Sequence, residues 1–494
     1  MSSSVSDEEK AKIPPTSDNE FLVKWDGDND PLNPRSLPAL RKWLITACVC
    51  IGSLAVTCGS SIYTSVYAQI EEEFGCSQEV ATLGLSLFVA GLAGGPMVVS
   101  PMSEFYGRRH IYIISMFLFL IWNVPCAVAQ NIETLLVGRF FDGLVGSAFM
   151  SVAGGTVADL FGPHEIQKPM MLFTLAPFLG PVLGPLIGGF ICSFASWRWT
   201  FYVMLIWTGI LSVVFIFVPE TYHPVLLAKK AAAMRKSTGN DAYYSASERA
   251  RASRPLRVAL IEGLYRPFQL LFLEPMCTIL CIYSAILLGI LYLFFGAFPL
   301  VFRTNHGFNL WQTGLTFLGL VVGQFVAVIL NPFFRKNYLR LVARQRAEAG
   351  VKDGEQLKPE PEFRLPPAIL AAALVPFSLF WFGWTTYSSV HWIVPIIGSI
   401  FFGTAMFLAF QGIWTFLVDA YPAYAASALA ANVCARCIFA AAFPLFGDQM
   451  YTNLGYQWAS SLLAFLALAM MPFPYLFFRY GKAIRARSKF AFQG

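Results

Sequence analysis

The chain has 494 residues, of which 56% are hydrophobic, 16% aromatic and only 13% charged, and its mean hydropathy is +0.58. Soluble domains carry about 25% charged residues, so this composition excludes an ordinary water-soluble globule. The net charge of +6 does not indicate a nucleic-acid binder, because the basic residues cluster where membrane proteins carry their topology signals.

The chain begins MSSSVSDEEKAKIPPTSDNE, a polar and mildly acidic stretch that does not have the form of a cleavable signal peptide. The first ~40 residues read as a largely disordered tail, and the first span is left to do the targeting. Twelve apolar windows follow, at about 43–69, 82–102, 111–130, 134–158, 169–195, 199–219, 275–302, 310–334, 365–389, 391–418, 423–446 and 457–479. Each is long enough to cross a hydrocarbon core about 30 Å thick as a helix. They are too long and too uniformly apolar for barrel strands. The expected fold is therefore an all-α polytopic membrane protein.

With the N-terminus in the cytosol and the spans alternating, 31 of the 35 Lys and Arg fall in cytosolic segments. Arg198 and Arg303 fall outside, and Arg139 and Arg436 fall within spans. That asymmetry predicts cytosolic N- and C-termini and makes the basic clusters at 229–266, 335–346 and 479–489 topology signals. The predicted organisation is a tail (1–42), a six-helix bundle (43–219), a central cytosolic linker (220–274), a second six-helix bundle (275–479) and a C-terminal tail (480–494). A second cytosolic insert covers 335–364. Weak repetition relates the halves: VADLFGP after span four answers LVDAYPA after span ten, placing Asp159 and Asp419 at matching ends. Two halves of six spans around a central loop are a transporter architecture, with the substrate site near the midplane between them.

Three charges lie well inside the windows: Arg139, Asp142 and Arg436. A charge at the centre of a span costs about 2.5–3.5 kcal/mol on insertion scales, so each asks for a partner or a function. Arg139 and Asp142, at i and i+3, share a helical face. They read either as a self-neutralising pair or as a proton-coupling site facing a watery cavity, with Asp142 exchanging the proton. Arg436 has no acidic residue within its own window, so its partner comes from another helix or from a ligand. The ten cysteines include Cys48-x-Cys50, Cys277-x3-Cys281 and Cys434-x2-Cys437, which lie in apolar helices and read as small packing residues, with no metal site expected. In SPMSEFYGRRHIY, Glu104, Arg108 and Arg109 form a basic turn after span two; Glu104 and Arg108 are expected to pair with each other and with Asp159 as a conformational latch.

In GPVLGPLIGG of span five, Gly180, Gly184 and Gly188 recur every four residues and permit close helix approach. Pro181 and Pro185, with Pro177 before them, recur at the same step on another face and predict a bent helix. Here the sequence resembles the major facilitator superfamily. GPVLGPLIGG looks like the antiporter motif of its twelve-span drug:proton antiporters, carried by Gly180, Pro181, Gly184, Pro185, Gly188 and Gly189. LLVGRFFDGLVG resembles that group's span-four motif, with Arg139 as the embedded arginine. SPMSEFYGRR resembles the loop motif between spans two and three, departing at Ser100, Glu104 and Phe105. KWDGDNDPLNP, PETYHPVLLAKKAAAMRK and YAASALAANVCARCIFAAAFPLF look specifically fungal, so the similarity covers nearly the whole chain from residue 24.

The resemblance implies two pseudo-symmetric six-helix bundles and proton-coupled export of small amphipathic organic molecules: drugs, toxicants, polyamines or secondary metabolites. It implies no cofactor beyond the proton gradient. The implied partners are a small-molecule substrate, protons and the lipid bilayer, with no nucleic acid and a monomeric state. It also implies a broad, apolar cavity lined by Tyr63, Tyr67, Phe178, Tyr292, Phe295, Gln324, Gln411, Asn432 and Arg436. The plasma membrane is the expected location, with the vacuolar membrane as alternative. An uptake symporter of the same fold is the first rival reading, and an integral membrane enzyme or receptor the second.

Overall fold

A computed structural model describes residues 21–27, 30–162, 165–253, 255–350, 358–488 and 490–491. Its helices supply twelve apolar spans: Ala39–Ser65, Gln78–Tyr106, Arg108–Ala127, Ile132–Leu160, Gln167–Phe194 and Arg198–Phe217, then Pro275–His306, Leu310–Glu348, Pro366–Trp384, Ile393–Ala420, Ala425–Leu454 and Tyr456–Arg485. They are called spans one to twelve below. Local chemistry sets their ends. The Asn131 side chain accepts the Thr134 N–H at 2.8 Å to start span four, and Gly307, with φ +66°, closes span seven in the left-handed region.

Three segments differ from the sequence expectation. The first window, 43–69, ends early: the span stops at Ser65, and a separate helix, Tyr67–Phe74, carries the acidic run Glu71 to Glu73 away from the apolar core. Span eight runs on to Glu348 through RKNYLRLVARQRAE, so the insert at 335–364 starts as a continued helix. That stretch is rich in strong helix formers, and Arg344 and Glu348 pair at i,i+4 across 2.8 Å. The third difference is the tail. Residues 1–20 lie outside the described residues, but residues 21–27 and 30–38 are ordered, where a disordered tail was expected. Val23 N–H donates to Tyr244 O at 2.9 Å, and Lys230 Nζ lies 2.7 Å from Asp26 and 2.6 Å from Asp30. The Lys230 hydrogen bond holds the buried Asp30 carboxyl below the ordinary carboxylate range. Opposite charges on the tail and on the linker thus fasten the two together. The described residues of the linker form three helices, His223–Thr238, Ala246–Ser253 and Leu256–Leu273.

The packing repeats with a step of six spans. Span one packs on span five as seven packs on eleven, and span two packs on four as eight packs on ten. The seams between the halves obey the same rule: span two lies against eleven, and span five against eight. The described residues before span one and after span twelve share one end of the bundle with the linker, through Asp30 to Lys230 and Ser488 to Glu274; this is called the linker end, and the opposite end is the far end.

Candidate substrate and coupling site

Span five forms one seam because its glycines remove side chains where backbones meet. A Cβ at Gly180 would strike Thr57 and Cys58, at Gly184 Ser61 and Ile62, and at Gly188 Ile62 and Ser65, all on span one. A Cβ at Gly189 would lie 3.0 Å from Leu310 O of span eight. One helix is thereby pressed against its own half and against the other half within ten residues. The helix runs unbroken from Gln167 to Phe194 through Pro177, Pro181 and Pro185. The missing N–H groups of Pro177, Pro181 and Pro185 free the carbonyls of Phe173, Pro177 and Pro181, and Ser65 Oγ of span one approaches Pro185 O at 3.5 Å.

Arg139 and Asp142 are both buried, at 2% and 0% exposure, and they do not pair with each other. The Arg139 guanidinium donates to Gly59 O at 2.9 Å, Ser60 O at 3.0 Å and Gly84 O at 3.3 Å. It also lies over the rings of Tyr63 and Phe88, 4.8 and 4.3 Å from their centroids. Hydrogen bonds to a charged group contribute about 1.5–3 kcal/mol each, so three of them offset the cost of placing this charge in a span. Asp142 turns to span three, where Asn123 Nδ2 donates to Oδ1 at 3.1 Å and the Cys126 thiol lies 3.8 Å from Oδ2. The two charges form no ion pair, contrary to the first expectation, and in this conformation neither faces an open cavity. Their side chains leave span four toward different neighbours, and each is sealed by those neighbours.

Seven of the nine residues expected to line the cavity are exposed by no more than 3%: Tyr63, Phe178, Tyr292, Phe295, Gln324, Asn432 and Arg436. The broad, apolar cavity expected from the sequence is closed in this conformation, because side chains from the two halves fill it. Phe178 of span five packs at a tilt against Phe410 and Trp414 of span ten, with centroids 4.7 and 5.8 Å apart. Tyr292 of span seven shares a 2.8 Å hydrogen bond with Ser60 of span one, and Gln324 Nε2 of span eight donates to Phe178 O at 3.0 Å. Asn432 accepts the Trp414 indole N–H at 3.0 Å and donates to Ser284 Oγ at 2.6 Å. Arg436, one turn further along span eleven, lies 5.0 Å from the Trp414 ring and 5.5 Å from Phe410.

Phe295 joins this group through Tyr292, 5.1 Å away. Tyr63 and Tyr67 do not join it; they pack on each other within the first half, where Tyr63 covers Arg139. Gln411 is partly exposed, and no hydrogen bond of its side chain ties it to the cluster among the described residues. Trp414, Phe410 and Ser60 are members that the sequence reading missed. Trp414 was within reach, since it lies three residues beyond Gln411 on the same helix.

At the linker end, Arg108 Nε meets Asp159 Oδ2 at 3.3 Å, as expected. Arg108 Nη1 donates to Ser103 Oγ at 2.6 Å, and its guanidinium lies 4.5 Å from the Tyr222 ring. The expected Glu104–Arg108 pair is replaced by these contacts, and Glu104 lines a cleft of about 190 Å³ with Glu262, Arg266 and Tyr424. Arg109 donates to Ile216 O at 2.8 Å. The residue missed here is Glu220, which accepts the backbone N–H of Arg108 at 2.8 Å and of Arg109 at 3.2 Å. A carboxylate on the first N–H groups of a helix is stabilised by the helix dipole. The second half repeats the ion pair, with Arg364 Nε 2.8 Å from Asp419 Oδ2. The ten cysteines are free thiols; Cys277 and Cys281 come within 3.9 Å.

Comparison with known proteins agrees with this geometry. The chain is 51% identical to "Efflux pump atB" of Aspergillus terreus, over 98% of this chain and 93% of that protein. It is 41% identical to "Probable drug/proton antiporter YHK8" of Saccharomyces cerevisiae, over 92% of this chain and 87% of that one. Among solved structures, the partially occluded inward open conformation of the xylose transporter XylE from E. coli superposes with a TM-score of 0.60. That similarity covers 89% of this chain and 99% of XylE at 17% identity, and so concerns the fold. Residues 49–444 match the Major Facilitator Superfamily, and by that match and its end-to-end likeness to curated relatives the chain belongs to this superfamily.

Proposed function

We propose that the protein exports small amphipathic organic molecules in exchange for protons, by rocking its two six-helix halves about the seams of spans two with eleven and five with eight. The observation that carries this reading is the cluster of Phe178, Tyr292, Phe410, Trp414 and Asn432 on the contact between the halves. Aromatic rings with a few fixed amides suit flat apolar molecules with one or two polar groups. Relatives named as efflux pumps and as a probable drug/proton antiporter support the direction of transport and the coupling. Asp142 is the proposed proton-coupling residue: its buried carboxylate has an amide and a thiol for partners and no cation in ion-pair contact among the described residues. Arg139 holds spans one, two and four in register beside it.

In this reading the protein works as a monomer in the plasma membrane with both termini in the cytosol, where the positive charge of the linker end supports that orientation. The test is retention of a panel of dyes, azoles and polyamines in cells lacking their own exporters, with and without a protonophore. Lower retention that the protonophore abolishes is the expected result. Raised retention would mean uptake instead.

A further inference from the structure

Arg436 is a buried cation without a counter-charge among the described residues. It is 2% exposed, and among the described residues it makes no hydrogen bond and no ion pair; its Nε is buried and unpartnered. The acidic residue of its own helix, Asp448, is twelve positions away, or about 18 Å along the axis. Its polarised neighbours are the faces of Trp414 and Phe410, which attract a cation without neutralising it or accepting its five N–H groups. Arg139 shows what a purely structural arginine receives in this same fold: three carbonyl acceptors and two ring faces. Arg436 receives the rings alone.

The surroundings are built to hold a ligand beside it. Trp414 is locked by its hydrogen bond to Asn432, and Asn432 by Ser284, so the ring beneath the guanidinium keeps its orientation. The ring facing Trp414 and Phe410 is Phe178, which belongs to the other half. Gln324 holds the Phe178 carbonyl and keeps its own Oε1 buried without a partner. In the proposed rocking motion Phe178 would leave Phe410 and Trp414, and the space so opened is apolar, flat-walled and bordered by the Arg436 guanidinium.

We propose that Arg436 is the anion-recognition group of the substrate site, and that the exported molecule is an organic acid: a carboxylate on a flat, aromatic or otherwise apolar body. The carboxylate takes the fork of the guanidinium through two N–H···O bonds, and the apolar body occupies the place of the Phe178 ring against Phe410 and Trp414. A buried guanidinium left unpaired penalises a neutral analogue, so the site discriminates an acid from its ester by more than the difference in shape. This proposal rests on the reading of the chain as an exporter and specifies which class of molecule it exports.

The experiment measures binding of 1-naphthoate and of methyl 1-naphthoate to the purified full-length protein in lipid nanodiscs near neutral pH, by calorimetry. The expected result is a preference for the acid of about tenfold or more, lost in Arg436→Gln and partly kept in Arg436→Lys, which retains the charge without the fork. Equal affinity of acid and ester in the unsubstituted protein overturns the proposal, as does failure of the acid to bind. An acid preference that survives in a folded Arg436→Gln also overturns it. The unsubstituted comparison does not depend on any variant folding. Protonophore-sensitive export of neutral compounds, followed in parallel, separates the two readings. If it persists while the acid preference is absent, the exporter stands and this inference falls. If export of the acid and of neutral compounds alike is absent while the acid preference depends on Arg436, the anion site stands and the exporter reading falls.

Discussion

Arg139 and Asp142 stand three residues apart on span four, yet the arginine is spent on carbonyls of spans one and two while the aspartate is held by span three. No ion pair therefore joins the carboxylate to the nearest cation. Asp142→Asn keeps the shape and the contact to Asn123 but removes the exchangeable charge. Protonophore-sensitive export should fall by about tenfold or more, with the protein still reaching the membrane at its usual level. Export by that variant at the unsubstituted rate would remove Asp142 from the coupling role.

Gly184→Ala should lower thermal stability and export together. The added methyl meets Ser61 Oγ and the backbone of Ile62, and overpacking of this kind costs about 1–3 kcal/mol. Gly296→Ala is the matched control, since a Cβ there meets nothing within 4 Å and Ala is the better helix former. A melting temperature unchanged by Gly184→Ala would show that spans one and five can separate without loss.

The two repeated ion pairs should differ in strength. The side chains of Arg108 and Asp159 are 13% and 15% exposed, those of Arg364 and Asp419 36% and 35%. Breaking a pair withdrawn from water costs about 3 kcal/mol or more, breaking an exposed one about 1 kcal/mol or less. Asp159→Ala should therefore depress the melting temperature clearly more than Asp419→Ala. The reverse order would show that Ser103 and Tyr222 suffice to hold Arg108.

At the far end, Glu73 accepts two hydrogen bonds from Arg198 and one from the Trp197 indole, and the Arg198 hydrogen bond, followed by that of Trp197, holds the Glu73 carboxyl below its ordinary value. A folded value below the unfolded one, about 4.3, means that this stabilisation is complete above that pH and is lost as pH falls through the folded value. Glu73→Gln should be less stable than the unsubstituted protein at neutral pH, and the gap should close on acidification below about pH 4. Melting curves of both proteins from pH 7 to pH 3 check this, and a gap that is constant with pH would contradict it.

The hydropathy windows predict the spans because insertion depends on the apolar content of about twenty consecutive residues, which is local to the chain. The same locality accounts for the misplaced ends: the first window carried on past Ser65, and the helical run through Arg335–Arg346 was read as an insert. The Gly180–Gly184–Gly188 ladder was also legible, since a four-residue step fixes a helical face. What the sequence left open at Arg436 was whether a helix or a ligand supplies its partner, and no helix among the described residues does so.

The sequence alone thus determined the twelve spans, their division into two halves and the identity of the buried charges, because hydropathy and periodicity are written in contiguous residues. Only the tertiary structure decided which groups meet those charges. Arg139 finds carbonyls 55 to 80 positions away, and Asp142 an amide 19 positions away. The N-terminus of span three finds Glu220 112 positions away, and Trp414 finds Phe178 across the seam between the halves. Such partners depend on how twelve helices rotate about their axes as they pack, and that rotation is set jointly by all the contacting faces.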